Sequence, residues 1–290
     1  MPELPEVEVV RRGLADHVAG RIIDHLELRG SRVARRHVAG PEDLSRQVSG
    51  ATVAGVHRRG KYLWLALARG AGEPAELGLI THLGMSGQML VADAGEPDPK
   101  HLHGRFTFAD GGPQVRFIDQ RTFGGFALSA LDGSGLPQAI THIARDPFDP
   151  QFDAARVSRV IKSRSSAIKR VLLDQKVVSG IGNIYADESL WRAGVHGNRA
   201  ADALTKPAIA RLLGHARDVM TEALAEGGTS FDALYVNVNG ASGYFDRRLN
   251  VYGQEGRPCA RCGTPIRRVA FMNRSSYFCP VCQTKPRVPS

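Results

Sequence analysis

Met1-Pro2-Glu3-Leu4-Pro5-Glu6-Val7-Glu8 opens the chain and admits two readings. A small second residue normally permits removal of the initiator methionine, and the mature chain is then expected to start with the secondary amine of Pro2. Such an amine attacks an electrophilic carbon to give an iminium, whose nitrogen is positive without needing a proton and so serves as an electron sink. Glu3 stands beside it and Glu6 follows one helical turn later. The same residues also read as a helix start: Pro5 in the first turn, early acids complementing the dipole, and an apolar stripe of Val7, Val10, Leu14 and Val18. Spacing alone favours the helix start; the rest of the chain brings the chemistry forward.

The chain has 290 residues and 42% hydrophobic content, enough for a sizeable core and more than one domain. No apolar run is long enough to span a membrane and no secretory signal precedes the first helix, so a soluble cytosolic protein is expected. Lys and Arg outnumber Asp and Glu by 38 to 29, and the pI of about 9.7 points to a polyanionic partner, most simply nucleic acid. The charge is concentrated at the C-terminal end. Residues 251–290 hold seven Lys or Arg (Arg257, Arg261, Arg267, Arg268, Arg274, Lys285, Arg287) against Glu255, which is six of the nine net positive charges.

All four cysteines lie in that basic tail, as Cys259-Ala260-Arg261-Cys262 and Cys279-Pro280-Val281-Cys282, with sixteen residues between the pairs. Two C-x2-C knuckles at this spacing match a tetrathiolate zinc ribbon. Disulfides are the alternative, disfavoured in a chain without a signal peptide. Four protein thiolates leave no open position for substrate, so the expected single zinc ion is structural, and the small segment depends on it for folding.

Residues 1–140 read as a helix followed by strands. The runs Arg21 to Leu28, Ala51 to Ala68, Leu77 to Val91, Gly104 to Phe108 and Gln114 to Phe126 are β-branched or aromatic and broken by glycine and proline, which suggests an antiparallel sandwich. Asp146-Pro147-Phe148-Asp149-Pro150 marks a boundary. From about Asp153 to Glu226 the apolar residues recur at helical spacing (Ile168, Val171, Leu172; Leu212, Val219, Leu224). Gly227 to Asn250 is polar and glycine-bearing, with Asn239-Gly240 a turn signal.

Five segments occur in one order: the opening Pro-Glu-Leu-Pro-Glu-Val-Glu, His82-Leu83-Gly84-Met85-Ser86-Gly87, Asp119-Gln120-Arg121-Thr122-Phe123-Gly124, Gly180-Ile181-Gly182-Asn183-Ile184-Tyr185, and Asn273-Arg274-Ser275-Ser276-Tyr277-Phe278-Cys279. Together they resemble the formamidopyrimidine-DNA glycosylase family, bacterial enzymes that repair 8-oxoguanine, over essentially the whole chain. The resemblance implies an α+β protein: an N-terminal catalytic β-sandwich with a leading helix (1–140), a helix-two-turns-helix domain with a lesion-capping loop (141–250) and a C-terminal zinc ribbon (251–290). Duplex DNA carrying oxidised purines or abasic sites would lie in the cleft between the domains. A monomer is expected, cytoplasmic and associated with the nucleoid.

The family's functional residues transfer position by position. Pro2 would attack C1′ of the lesion sugar and Glu3 would act as general acid/base. Lys61 matches a catalytic lysine assigned as a proton donor in elimination, and Arg274 a ribbon arginine linked to δ-elimination. An oxidised purine is reached only by flipping it out of the stack. Met85, Arg121 and Phe123 match the residues that fill the hole, Arg121 pairing with the orphaned cytosine. Glu6, His101, Lys169 and Asn183 complete the DNA-facing set. Where family members often carry a lysine four residues before Lys169, this chain has Ser165 preceded by Arg164, so that contact falls to one or the other. The loop Val236 to Tyr244 matches the capping loop.

Four of these residues have a plainer reading: Met85 and Phe123 as core, Lys61 as a solvated strand start, His101 as structural. Two other functions also stay open. Endonuclease VIII, which acts on oxidised pyrimidines, shares the proline, the two turns and a ribbon; Leu4, the Met85–Arg121–Phe123 set and the full-length loop stand against it. A paralogue that binds DNA without catalysis is the second. A zinc-ribbon regulator or ribosomal protein would leave the N-terminal signature unexplained.

Overall fold

The computed structural model describes residues 2–70, 72–228, 238–239 and 248–286. Met1, Arg287 and all of the expected capping loop except Val238 and Asn239 lie outside the described residues. The chain forms two compact units, Met1–His142 with Glu226–Tyr244, and Ile143–Ala225 with Phe245–Ser290.

The first unit begins with helix α1 (Leu4–Val18), with Pro5 in its first turn and its Val7, Val10, Leu14 and Val18 stripe buried. After β1 (Ile23–Leu28) comes α2 (Pro41–Val48), a helix the apolar pattern does not announce because its eight residues bury only Leu44 and Val48. Its signals are local: Pro41 in the first turn, with Glu42 and Asp43 beside it. Each long apolar run then resolves into strands joined by a turn or loop: β2 (Thr52–Arg59) and β3 (Tyr62–Ala68), β4 (Leu77–His82) and β5 (Gly87–Ala92), then β6 (Leu102–Phe108), β7 (Gln114–Asp119) and β8 (Gly125–Ala130).

These strands make two antiparallel sheets, β2-β3-β4-β8 and β1-β6-β7-β5. One apolar core joins them to α1: Leu63, Leu65 and Leu79 from the first sheet meet Phe106 and Phe117 from the second. Phe126 bridges the two, edge-on to Phe106 at 5.5 Å and tilted against Phe117 at 5.0 Å. β6 alternates buried and half-exposed residues, whereas β3 is buried on both faces; Leu131, Pro137 and Trp64 close over Gly78 of its neighbour.

The second unit contains α3 (Ala154–Lys162), α4 (Ile168–Leu172), α5 (Asn183–Ala193), α6 (Lys206–Ala225) and the hairpin β9 (Arg267–Phe271) and β10 (Arg274–Phe278). Asp153 caps α3 by accepting the Arg156 N–H at 2.9 Å. α6 buries Ile209, Leu212, Leu213, Ala216, Val219, Met220 and Ala223, the helical spacing expected of it. The helices and the ribbon share one unit because α5 grips the ribbon with buried polar side chains. Glu188 accepts the backbone N–H groups of Asn250, Val251 and Tyr252 at 2.8–3.1 Å. Asp187 accepts the Ser276 hydroxyl and the Tyr277 N–H, both at 2.9 Å. No helix among the described residues is long and apolar enough to cross a membrane.

Candidate active site

The N-terminus of helix α1 presents two catalytic candidates of the first unit, Pro2 and Glu3. Pro2 is buried immediately before it, and Glu3 is the N-cap residue. Glu3 and Glu6, each 2% exposed, form a capping box in which the Glu6 carboxylate accepts the Glu3 N–H at 2.9 Å. Glu6 thus fixes the backbone that carries the general acid/base candidate. The helix dipole at this end favours a carboxylate.

One turn further on, Glu8 ties α1 to the hairpin that bears Lys61. Its carboxylate accepts Arg58 Nε at 3.0 Å and Arg11 Nη2 at 2.9 Å, and Arg58 also donates to the Gly60 carbonyl at 2.9 Å. Burial pulls the Glu8 carboxyl upward, but the Arg11 and Arg58 guanidiniums outweigh it and hold the pKa at about 2. Gly60, at φ 56°, makes the two-residue turn in which Lys61 sits, itself nearly buried. His82, at the end of β4, packs tilted against Tyr62 with ring centroids 4.9 Å apart and accepts the Gly84 N–H through Nδ1 at 3.0 Å. Burial, then the charges of Arg36, Lys61 and Arg35, push its pKa down to about 4, so the ring is neutral at neutral pH.

Met85, Arg121 and Phe123 sit on two loops that touch through their backbones. A side chain at Gly84 would meet the Gly124 nitrogen at 2.4 Å and the Phe123 carbonyl carbon at 2.6 Å, so only glycine lets the loops approach this closely. Asp119, fully buried, ties them together. It accepts the Ser86 hydroxyl at 2.5 Å from the Met85 loop, and the N–H groups of Arg121 at 3.2 Å and Gly124 at 2.7 Å from its own. Its backbone joins His101 to the group, since the Asp119 N–H donates to the His101 carbonyl at 3.1 Å. Phe123 is 43% exposed, unusual for a phenylalanine, and the Arg121 guanidinium lies 5.5 Å from its ring. Asp119 and Ser86 stand inside segments that the sequence singles out, yet nothing in the sequence marks these two as the residues that join the loops.

In the second unit, Arg164 and Ser165 are exposed in the turn after α3. Arg164 lines a recess with Ser166, Arg170, Met272 and Arg274, so the structure brings together two of the predicted cations and adds Arg170. The turn Met272-Asn273, both residues at positive φ, places Arg274 exposed at the start of β10. Asn183, the first residue of α5, donates its amide to the Ser275 carbonyl at 2.9 Å and so holds the same strand.

Lys169 departs from the expectation of an open phosphate contact. It is wholly buried, its ammonium 2.6 Å from the Asp187 carboxylate and 5.0 Å from the Phe271 ring. Burial pushes the Asp187 carboxyl up to about 6, against the pull of Lys169, Tyr277 and Ser276. The lysine is the counter-ion of an acid that anchors β10, and a phosphate reaches it only if that pair opens.

The four cysteine sulfurs lie within 4.8 Å of one another, with separations of 3.4, 3.6 and 3.9 Å among the bonded contacts. A zinc tetrahedron with bonds of about 2.3 Å has sulfur edges of about 3.8 Å, so the four thiols fit a structural zinc ion. The Trp191 indole N–H points at Cys259 Sγ at 3.4 Å, and Arg261 caps that ring at 4.0 Å while donating to the Trp191 carbonyl at 2.7 Å. Outer partners of this kind orient metal thiolates.

Family models match the chain in three stretches: the formamidopyrimidine-DNA glycosylase N-terminal domain over residues 1–126, its H2TH domain over 143–233, and a zinc finger found in FPG and IleRS over 256–285. Curated formamidopyrimidine-DNA glycosylases from Nocardia farcinica and Salinispora arenicola are 61% and 60% identical, across 99% of this chain and 99% and 98% of theirs. Among solved structures, Lactococcus lactis FPG bound to Fapy-dG-containing DNA superposes with a TM-score of 0.85, and L. lactis Fpg bound to abasic-site DNA with 0.86. Both share 34% identity and cover 98% of this chain and 100% of theirs. A leading-helix sandwich followed by helix-two-turns-helix and ribbon elements defines a DNA glycosylase. The chain belongs to the formamidopyrimidine-DNA glycosylase family.

Proposed function

We propose that this DNA glycosylase excises oxidised purines, 8-oxoguanine and formamidopyrimidines, from duplex DNA and then cleaves the abasic site, with Pro2 as nucleophile. The observation that carries this reading is the buried Pro2–Glu3 pair at the N-terminus of α1 in a chain of this family. Pro2 becomes a secondary amine when Met1 is removed. Its lone pair attacks C1′ of the flipped nucleotide, the base departs, and Glu3 moves the proton that opens the sugar ring. The resulting iminium acidifies C2′; loss of a C2′ proton expels the 3′ phosphate by β-elimination, and δ-elimination then releases the 5′ phosphate. The product is a one-nucleotide gap. Lys61 supplies a proton during elimination, and Arg274, with Arg164 or Ser165, grips the phosphates beside the lesion.

DNA contacts by Met85, Arg121, Phe123, His101 and Asn183 belong to the same reading, with Lys169 acting through its ion pair. Zinc, held by Cys259, Cys262, Cys279 and Cys282, fixes the strand that carries Arg274 and takes no part in the chemistry. A substrate in chromosomal DNA implies a protein of the bacterial cytoplasm that works at the nucleoid. One L. lactis Fpg structure holds DNA with an oxidised pyrimidine, which makes pyrimidine lesions a second substrate class to compare.

The test is single-turnover cleavage of matched duplexes containing 8-oxoguanine, thymine glycol or a preformed abasic site. 8-Oxoguanine opposite cytosine should be cleaved fastest of the base lesions. Glu3→Gln should abolish base excision while leaving lesion binding within about tenfold. Faster cleavage of thymine glycol, or full excision by the Glu3 variant, overturns the reading.

A further inference from the structure

We propose that Arg35, which contributes nothing to the chemistry above, is a positioning residue for the wedge that fills the vacated base site. The proposal rests on reading Arg121 and Phe123 as that wedge. Arg35 follows the short helical turn Arg32–Ala34. Its guanidinium donates from Nη1 to the carbonyls of Thr122 at 3.2 Å and Gly124 at 3.0 Å, and from Nη2 to that of Phe123 at 2.5 Å. Nη1 also approaches the Arg32 carbonyl at 2.9 Å, so that one of its two hydrogens is shared between acceptors and the side chain folds onto its own turn.

Three successive carbonyls converge on one cation because Thr122 takes a left-handed backbone, φ 54°, which a threonine adopts only when its surroundings impose it. Converging carbonyl dipoles repel one another unless a donor stands between them, and the planar fork of a guanidinium fits such a target where a lysine ammonium does not. Asp119, buried in the core, accepts the N–H groups of Arg121 and Gly124. The loop is thus clamped between a buried anion that takes its N–H groups and a surface cation that takes its carbonyls. The turn that holds Arg35 is itself tightly seated, since a side chain at Gly125 would come within 2.2 Å of the Val33 carbonyl oxygen. With the backbone fixed on both sides, Arg121 and Phe123 are the parts left to project. A wedge that must enter a base stack gains rate by being held in shape beforehand.

The experiment compares Arg35→Ala, Arg35→Lys, Arg121→Ala, Phe123→Ala and the double variant Arg35→Ala/Phe123→Ala in the full chain. Three quantities are read: single-turnover excision of 8-oxoguanine opposite cytosine and opposite adenine, borohydride trapping on a preformed abasic site, and salt-dependent affinity for undamaged duplex. Arg35→Ala should slow excision opposite cytosine about tenfold and shrink the cytosine-over-adenine preference, as Arg121→Ala does. Abasic-site trapping should stay within about twofold. Arg35→Lys should share the defect although it keeps the charge, and the double variant should be slowed by less than the product of the two single effects, because the part of the Arg35 effect that runs through Phe123 is already lost. A lysine variant that behaves as wild type, or losses confined to salt-dependent affinity, would make Arg35 a phosphate contact and overturn the proposal; so would effects of Arg35→Ala and Phe123→Ala that multiply. If Arg121→Ala and Phe123→Ala are themselves silent, the wedge reading fails and takes the Arg35 proposal with it. If they are defective while Arg35→Ala is normal, only the Arg35 proposal fails. Should Arg35→Ala not fold, the lysine variant carries the same comparison.

Discussion

His82 links acid sensitivity to a single ring in the first unit. Its pKa in the folded protein is about 4, below the ordinary 6.5, so as the pH falls the unfolded chain takes up the proton first. The stability it contributes is complete above pH 6.5 and is lost progressively toward pH 4, up to roughly 3 kcal/mol. Urea unfolding of the first unit should follow that slope, and His82→Gln should flatten it between pH 6.5 and 4; an unchanged slope in the variant would clear His82 of the role. Residues whose function is set by chemistry next door in sequence, such as the paired cysteines, are legible in the sequence itself. Residues whose function depends on burial are not. Nothing in Ala167-Ile168-Lys169-Arg170 says that Lys169 is enclosed and Arg170 exposed, because the partner that encloses it, Asp187, lies eighteen residues away on another helix.

At the scale of elements, α5 is the piece whose role is largest relative to its signal. It reads as a weakly amphipathic helix because the face it turns to the ribbon is polar: Asn183, Asp187, Glu188 and Trp191 recur at helical spacing, and each bonds a ribbon atom or the chain leading into it. The strand runs are legible from their β-branched and aromatic composition and helix α6 from its apolar period, while α2 and this polar face are not, since neither signal registers them. Removing one member of the buried pair exposes the logic. Asp187→Leu should cost about 3–5 kcal/mol by stranding the Lys169 ammonium, and adding Lys169→Met should recover at least half of it. A double variant as unstable as the single one would show that the bonds to Ser276 and Tyr277 dominate instead. Zinc removal acts on the same junction from the other side. Chelation should release Cys259 from Trp191, shift tryptophan emission to the red and weaken duplex binding, since the ribbon carries Arg274 and the basic charge around it. Duplex affinity that survives with zinc shown to be absent would contradict a structural role for the ion.

In the whole molecule, the first unit holds the proposed nucleophilic amine, its carboxylate and the proposed wedge loop, and the second holds the proposed phosphate-gripping cations and the four-cysteine ribbon. Net positive charge concentrated in the ribbon favours binding to any duplex, and the proposed chemistry lies at the N-terminus. The proposed reaction turns on one covalent bond, which only a chain starting at Pro2 can form with a secondary amine. The direct measurement is borohydride reduction of the enzyme on an 8-oxoguanine duplex, followed by mass spectrometry of the trapped peptide. The expected product is an N-terminal peptide that lacks Met1 and carries the sugar remnant on the Pro2 nitrogen. Active enzyme that retains Met1, or an adduct located on Lys61 or another lysine, would contradict it.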